Sequence, residues 1–422
     1  MAKDPYLAAF ERAEKNQSAT EPSWIPSLRK TAIHRFANLG FPTQKNEDWK
    51  YTSVEPIARS AFRFPFEISG NGVSSDKINS FSFLVPENRL VFVNAQFKSG
   101  IQAGTLQEAL HSHPKELEPF LAKQADFQSD PFTALNTAFF QDGGYLSVPK
   151  GKVVIEPVEF LFFSSSHGEK LITQPRNLIV LEEEAEATVI ENYASLEGET
   201  FTNAVTEIIL GPGARLTHYH IQNQSEKAFH VSTTQVSANR NSHFSSNVFS
   251  FGSGLSRNNL NVTLRGEGDQ CELNGLYMVR GHQHVDHHTL IDHLKPNGTS
   301  HQVYKGVLAG RARAVFNGKI FVHQDAQKTD AHQLNKNLLL SEEAVVDTKP
   351  QLEISADDVK CTHGAAVGQL RDEEIFYVKS RGLGEEAARK LLTYGFASEV
   401  LEKVKLAPVR ARLEQLIWER LQ

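Results

Sequence analysis

The spacing of apolar residues changes character twice along this chain. In residues 23–37, Ile25, Leu28, Ile33 and Phe36 recur at helical spacing, and Gly40-Phe41-Pro42 follows as a stop, which predicts a helix. Residues 105–121 repeat the pattern with Leu106, Leu110, Leu117 and Leu121 as inward positions. Between them, Leu90-Val91-Phe92-Val93-Asn94 reads as a short strand. From about residue 145 to 360 the helical period disappears. Short β-rich runs such as Lys152-Val153-Val154-Ile155, Asn177-Leu178-Ile179-Val180-Leu181 and Asn261-Val262-Thr263-Leu264 recur between turns of Gly, Pro, Asn and Ser. From about residue 370 helical spacing returns, in 385–396 (Ala388, Leu391, Leu392, Phe396), 398–404 (Val400, Leu401, Val404) and 407–421 (Val409, Leu413, Leu416, Ile417, Leu421). Pro408 stands where the last of these helices begins.

The middle region repeats itself. Turn-plus-strand segments start at Ala185, Gly213, Asn241 and Gly268, separated by 28, 28 and 27 residues, with echoes at Gly298 and Lys328, each 30 further on. A strand-and-turn repeat of this length signals a solenoid or a propeller, and propeller blades run to about 40–45 residues with motifs missing here. The period favours the coils of a β-helix over an antiparallel sandwich, the other source of many short strands. The expected architecture is therefore mainly β: a mostly helical N-terminal domain (1–145), a β-helix core (146–365) and a C-terminal helical domain (366–422). Both flanks are expected to cap the solenoid, whose ends would otherwise expose unpaired strand edges.

Composition narrows the function. The 422 residues are 40% hydrophobic and 22% charged with a net charge of −6, which gives no footprint for nucleic acid or an anionic membrane. The start of the chain shows no apolar signal-peptide region, and no window approaches the ~20 apolar residues of a membrane span, so a cytoplasmic protein is expected. Two cysteines, Cys271 and Cys361, are too few for a disulfide framework or for a four-cysteine cluster site within one chain.

Of 17 histidines, 13 lie between His218 and His363. His218 and His220 share one strand face by their spacing, as do His282 and His284, with His287, His288 and His293 close behind. Imidazole suits iron, zinc and copper, but polar residues on the wet face of a solenoid explain the same pattern. Cys361-Thr362-His363-Gly364 is sharper, because a strand turns Cys361 and His363 to the same side. That pair could hold one edge of an iron–sulfur cluster with the remaining ligands from a partner, or Cys361 could be a small buried residue of the last coil. Cys271 is isolated and reads as core. No P-loop, full dinucleotide fingerprint or GxSxG elbow is present, so nucleotide hydrolysis and serine catalysis are not expected of this chain.

An ordered succession of segments carries a family resemblance: Tyr304-Lys305-Gly306-Val307-Leu308, Val315-Phe316-Asn317-Gly318, Ala326-Gln327-Lys328-Thr329-Asp330-Ala331, Gln333-Leu334-Asn335-Lys336-Asn337, Lys349-Pro350-Gln351-Leu352-Glu353-Ile354 and Asp357-Asp358-Val359-Lys360-Cys361-Thr362-His363-Gly364-Ala365. With Glu47-Asp48-Trp49-Lys50-Tyr51-Thr52 near the start, this resembles the SufB/SufD family of the SUF iron–sulfur cluster assembly system. The low cysteine count resembles its SufD branch. The resemblance implies a right-handed parallel β-helix between helical domains and a non-enzymatic scaffold. It implies pairing with SufB through the β-helix, and binding of the SufC ATPase through the C-terminal helices. In the resulting SufBC2D complex, sulfur would arrive from SufS–SufE. His363, with Cys361 beside it, would serve a transient iron–sulfur cluster at the SufB–SufD interface. No tightly bound cofactor is expected in the isolated chain, which could self-pair as a homodimer.

Overall fold

The computed structural model of the protein describes residues 4–15, 21–67, 73–94, 96–100, 104–166 and 168–422. Successive strands from Tyr145–Val148 to Lys360–Gly368 build two parallel sheets that enclose one apolar interior, a β-solenoid of about eight turns. Neighbouring coils pair in register: His243 with Gln270, Gln270 with Thr299, Thr299 with Asp330 and Asp330 with Lys360. Coil length thus stays within a few residues of the repeat read from the sequence.

The repeat has a structural origin at one corner. Glu184, Gly213, Asn241, Gly268, Asn297 and Lys328 all adopt positive φ, between 56° and 74°. Each donates its backbone N–H to a carbonyl just ahead of the same corner one coil on: Pro212, Arg240, Glu267, Pro296, Gln327 and Asp358 in turn. A left-handed residue per coil, favoured by Gly and Asn, is what made the period visible.

The flanks attach to the side walls. Strand Arg89–Val93 joins the solenoid beside Val158–Ser164 and forms a hairpin with Gln96–Gly100, so the strand read at residues 90–94 extends one wall. Tyr6 of helix Asp4–Lys15, Phe36 of helix Trp24–Leu39, Phe41 just after it, and Phe132 and Phe139 of helix Pro131–Phe139 form an aromatic cluster against Phe201, Val231 and Leu255 of the second sheet. The Trp49 element pins this unit down. The Arg257 guanidinium lies 4.3 Å from the Trp49 ring centre, donates to the Asp48 carbonyl at 2.8 Å and pairs with buried Asp286 at 2.7 Å. The Thr52 hydroxyl donates to the same Asp286 oxygen, Oδ2, that Arg257 pairs with.

At the other flank, Ala397, Val400, Leu401, Leu413 and Ile417 pack on Tyr219, Ile221, Phe249, Leu276 and Val307 of the first sheet. Lys305, inside that contact, donates to the Phe396 carbonyl at 3.1 Å, pairs with Glu399 and lies 4.4 Å from the Phe396 ring centre. Three expectations change here. The helix of residues 105–121 is two short helices, Leu106–Ser112 and Pro114–Leu117, because Pro114 can start a helix but cannot continue one. The separate stretches 385–396 and 398–404 are largely one helix, Glu385–Leu401. The C-terminal helices lie along a wall instead of over the end, and the last coil is left open.

Candidate functional site

The last coil consists of Val345–Ile354 on one wall and Lys360–Gly368 on the other. Each pairs with a strand on one side only: Arg313–Val322 and Asp330–Leu339 respectively. Their outer edges therefore present unpaired backbone groups, the template on which another chain's strands can add. Pro350 falls in this edge strand, where a residue without an N–H is tolerated.

Alternation decides what the edge carries. Cys361 pairs in register with Ala331 and His363 with Gln333. Ala331 and Gln333 point inward and are buried, and Cys361 packs against the interior cluster. Cys361 and His363 therefore share the inward row of the last coil. Cys361 is half-buried and His363 exposed, since no further coil covers them. Burial pushes the Cys361 thiol above its ordinary range, with the Ala331 backbone hydrogen bond opposing the shift. A soft sulfur and an imidazole form a donor set suited to iron or an iron–sulfur cluster. It is incomplete: among the described residues no three His, Cys, Asp or Glu side chains come together to hold a metal.

The other histidines divide differently from the sequence expectation. His218 and His220 do share a face, but it is the interior one, not a wet surface. His218 Nε2 lies 3.1 Å from Glu191 Oε1, and its Nδ1 lies 3.2 Å from the Ser246 hydroxyl. His220, His230 and His287 are fully buried, and desolvation holds them neutral, with His220 pushed down to about 4 and His287 to about 3. His293 is pushed down to about 4 and bonds the Ser300 hydroxyl. His284 and His288 face the N-terminal unit, beside Thr52 and Asp286. His282 stays in a turn. Cys271 is buried core, as its isolation indicated, with its thiol pushed up by desolvation.

Two further surfaces stand out. The C-terminal helices expose Phe376 (73%), Tyr377 (60%) and Leu391, and the loop between the first two exposes Leu383. A polar cleft of about 370 Å³ lies between Trp49, Asp130 and the outer face of the second sheet, lined by Arg257, His288 and Lys319. The cleft's basic side chains already have partners, Arg257 and His288 at Asp286 and Lys319 at Glu353. Sequence reasoning missed Lys305, and it missed the amides beneath His363 (Gln333, Gln302). Strand parity combined with the coil register carries the signal for these amides.

Known proteins identify the family. Residues 162–396 match the family model for the SUF system FeS cluster assembly SufBD core domain, and residues 1–160 match the SufBD protein N-terminal region. The iron–sulfur cluster assembly SufBD family protein slr0076 of Synechocystis sp. is 34% identical over 95% of this chain and 92% of its own length. The iron–sulfur cluster assembly protein SufD of Escherichia coli is 32% identical over 92% of this chain and 91% of its own. Protein ABCI7, chloroplastic, of Arabidopsis thaliana is 30% identical over 96% and 89%. Along nearly its whole length, then, this chain belongs to the SufBD family of iron–sulfur cluster assembly proteins and is a homologue of SufD.

Proposed function

We propose that the chain is a cytoplasmic, non-enzymatic scaffold subunit of a SufBC2D-type complex, and that its open last coil pairs with SufB. The observation that carries this reading is a solenoid end whose inward row offers Cys361 and His363 on unpaired edge strands. Two donors on an open edge hold a cluster only when a second chain supplies the rest. Such a site suits cargo that must form and then leave, because moving the subunit boundary opens it. The exposed apolar residues Phe376, Tyr377, Leu383 and Leu391 make the C-terminal helices (within 366–422) the docking surface for the SufC ATPase. Closure of two SufC subunits would draw the C-terminal units together. It would then load the SufB-facing edge, because Lys305 and its apolar neighbours tie this unit to the solenoid wall. Iron and SufS–SufE-derived sulfur are the substrates, and no tightly bound cofactor belongs to the isolated chain.

The test is His363→Ala in the chain co-expressed with its SufB- and SufC-type partners. Complex assembly should persist, and cluster content by absorbance and iron and sulfide analysis should fall at least tenfold. Unchanged cluster content would overturn the ligand assignment.

A further inference from the structure

A one-directional ladder of side-chain amides runs up the interior of the last coils and ends beneath His363. Gln302 Nε2 donates to the Thr289 hydroxyl at 2.6 Å, and Gln333 Nε2 donates to Gln302 Oε1 at 2.8 Å. With its N–H group committed downward, Gln333 is left with Oε1 unpartnered, although the residue is only 3% exposed. His363 is the register partner of Gln333 on the next strand and lies on the same inward row. Adjacent strands are about 4.8 Å apart, so an imidazole one coil up is within reach of that oxygen. Gly318, on the facing wall, keeps room for the amide, since any side chain there would collide with Gln333 Nε2.

We propose that Gln333 is a positioning residue: its side-chain oxygen accepts the ring N–H of His363, fixes the tautomer and turns the other nitrogen's lone pair toward the open end. A neutral imidazole has one N–H and one lone pair, so committing the first decides where the second points. Metal-binding histidines almost always have their remaining N–H held by such an oxygen, and losing that partner typically costs about 10–100-fold in metal affinity. The inference rests on His363 being a ligand, and it explains why an exposed histidine on an open edge would be ordered before a cluster arrives. Gln333 touches neither iron nor sulfide; it acts through His363.

The decisive measurement is nitrogen-15 NMR of the histidine-labelled, metal-free full-length chain. The wild type should show one His363 tautomer with a slowly exchanging ring N–H. Gln333→Met, close in shape but without the acceptor, should abolish that resonance and average the tautomers. It should also weaken Zn²⁺ binding, read at the His363 resonances, by about 10–100-fold. Gln302→Met, which frees the Gln333 amide to turn, should give a smaller change of the same kind and serves if Gln333→Met does not fold. A wild-type His363 ring that is already tautomer-averaged and in fast exchange overturns the proposal, whatever the variants do. The underlying ligand reading fails separately, through the His363→Ala cluster assay.

Discussion

The two ends of the solenoid use the same coil to opposite effect. At the N-terminal end every residue of Val158–Ser164 is buried, and the interior carries stacked aromatics, Phe92 on Phe162 at 4.9 Å and Phe162 on Tyr193 at 5.1 Å. Glu191 there is tied into a closed network with Tyr193, Thr206, Asn177 and His218. At the C-terminal end the inward rows include Gln333, Asn335, Asn337 and Thr348, Val345–Ile354 is mostly half-buried and Lys360–Gly368 is mostly exposed. Proteins normally hide strand edges, because an uncovered edge invites association. An end with polar inward rows and exposed Val345 and Val367 is, on the proposed reading, core left unfinished until another subunit supplies the next layer.

The largest effect that would break this comparison lies at the closed end. Arg176 and Glu207 are both fully buried and paired at 2.6 Å, and Arg176 also donates to Asn136 and Thr137 of the N-terminal unit. Arg176→Met leaves Glu207 with only the backbone N–H groups of Ala122, Gln124 and Ala125. Breaking a buried pair from one side costs about 3–5 kcal/mol, so urea unfolding should show a loss of that size. A loss under about 1 kcal/mol would mean that the closed end is not the rigid half of the molecule.

Acid should attack the closed body before the open end. His220, His287 and His293 have folded pKa values depressed to about 4, 3 and 4. The unfolded chain binds their protons near the ordinary value of about 6.5, so stability is full above that pH. It falls as pH drops from about 6.5 toward 4, by up to ~1.4 kcal/mol per pH unit for each histidine. Unfolding midpoints at pH 7.5 and 5.0 should differ accordingly. His287→Gln should flatten the slope.

The middle-sized effect concerns the edge itself. If the isolated chain self-pairs through its last coil, Val367→Lys puts a charge into that contact. Self-association measured by sedimentation should then weaken tenfold or more, about 1.4 kcal/mol, while the unfolding midpoint hardly moves. A dimer indifferent to Val367→Lys uses another surface.

The same contrast explains what could be read from sequence. The solenoid was legible because each coil needs a left-handed corner residue, which Asn241, Gly268 and Asn297 supply at the repeat spacing. The shared face of Cys361 and His363 was legible because strand alternation requires it. Alternation gives parity but not side, so it could not say that His218 and His220 point into the interior. Nor could it show that Gln333 lies under His363, because that depends on the offset between neighbouring coils. The resting place of the C-terminal helices was hidden for a related reason. Their apolar stripes fit any apolar surface, and the docking partners Tyr219, Phe249 and Lys305 are far away in the chain.

The smallest effect is the matched control for the first. Lys328 and Asp358 form an ion pair across the last two coils, at the open-end corner where the Lys328 N–H also donates to the Asp358 carbonyl. Both side chains are about two-thirds exposed (66% and 68%), so water and salt already solvate each charge and neither depends on the other. Lys328→Met should change stability by no more than about 0.5 kcal/mol, and that difference should vanish in high salt. Left-handed backbone at residue 328 sharpens the control, because Lys328→Gly relieves a positive φ while removing the same charge. If Lys328→Met were as costly as Arg176→Met, the last coil would be as tightly built as the first. The open end would then be a finished surface, not one awaiting a partner.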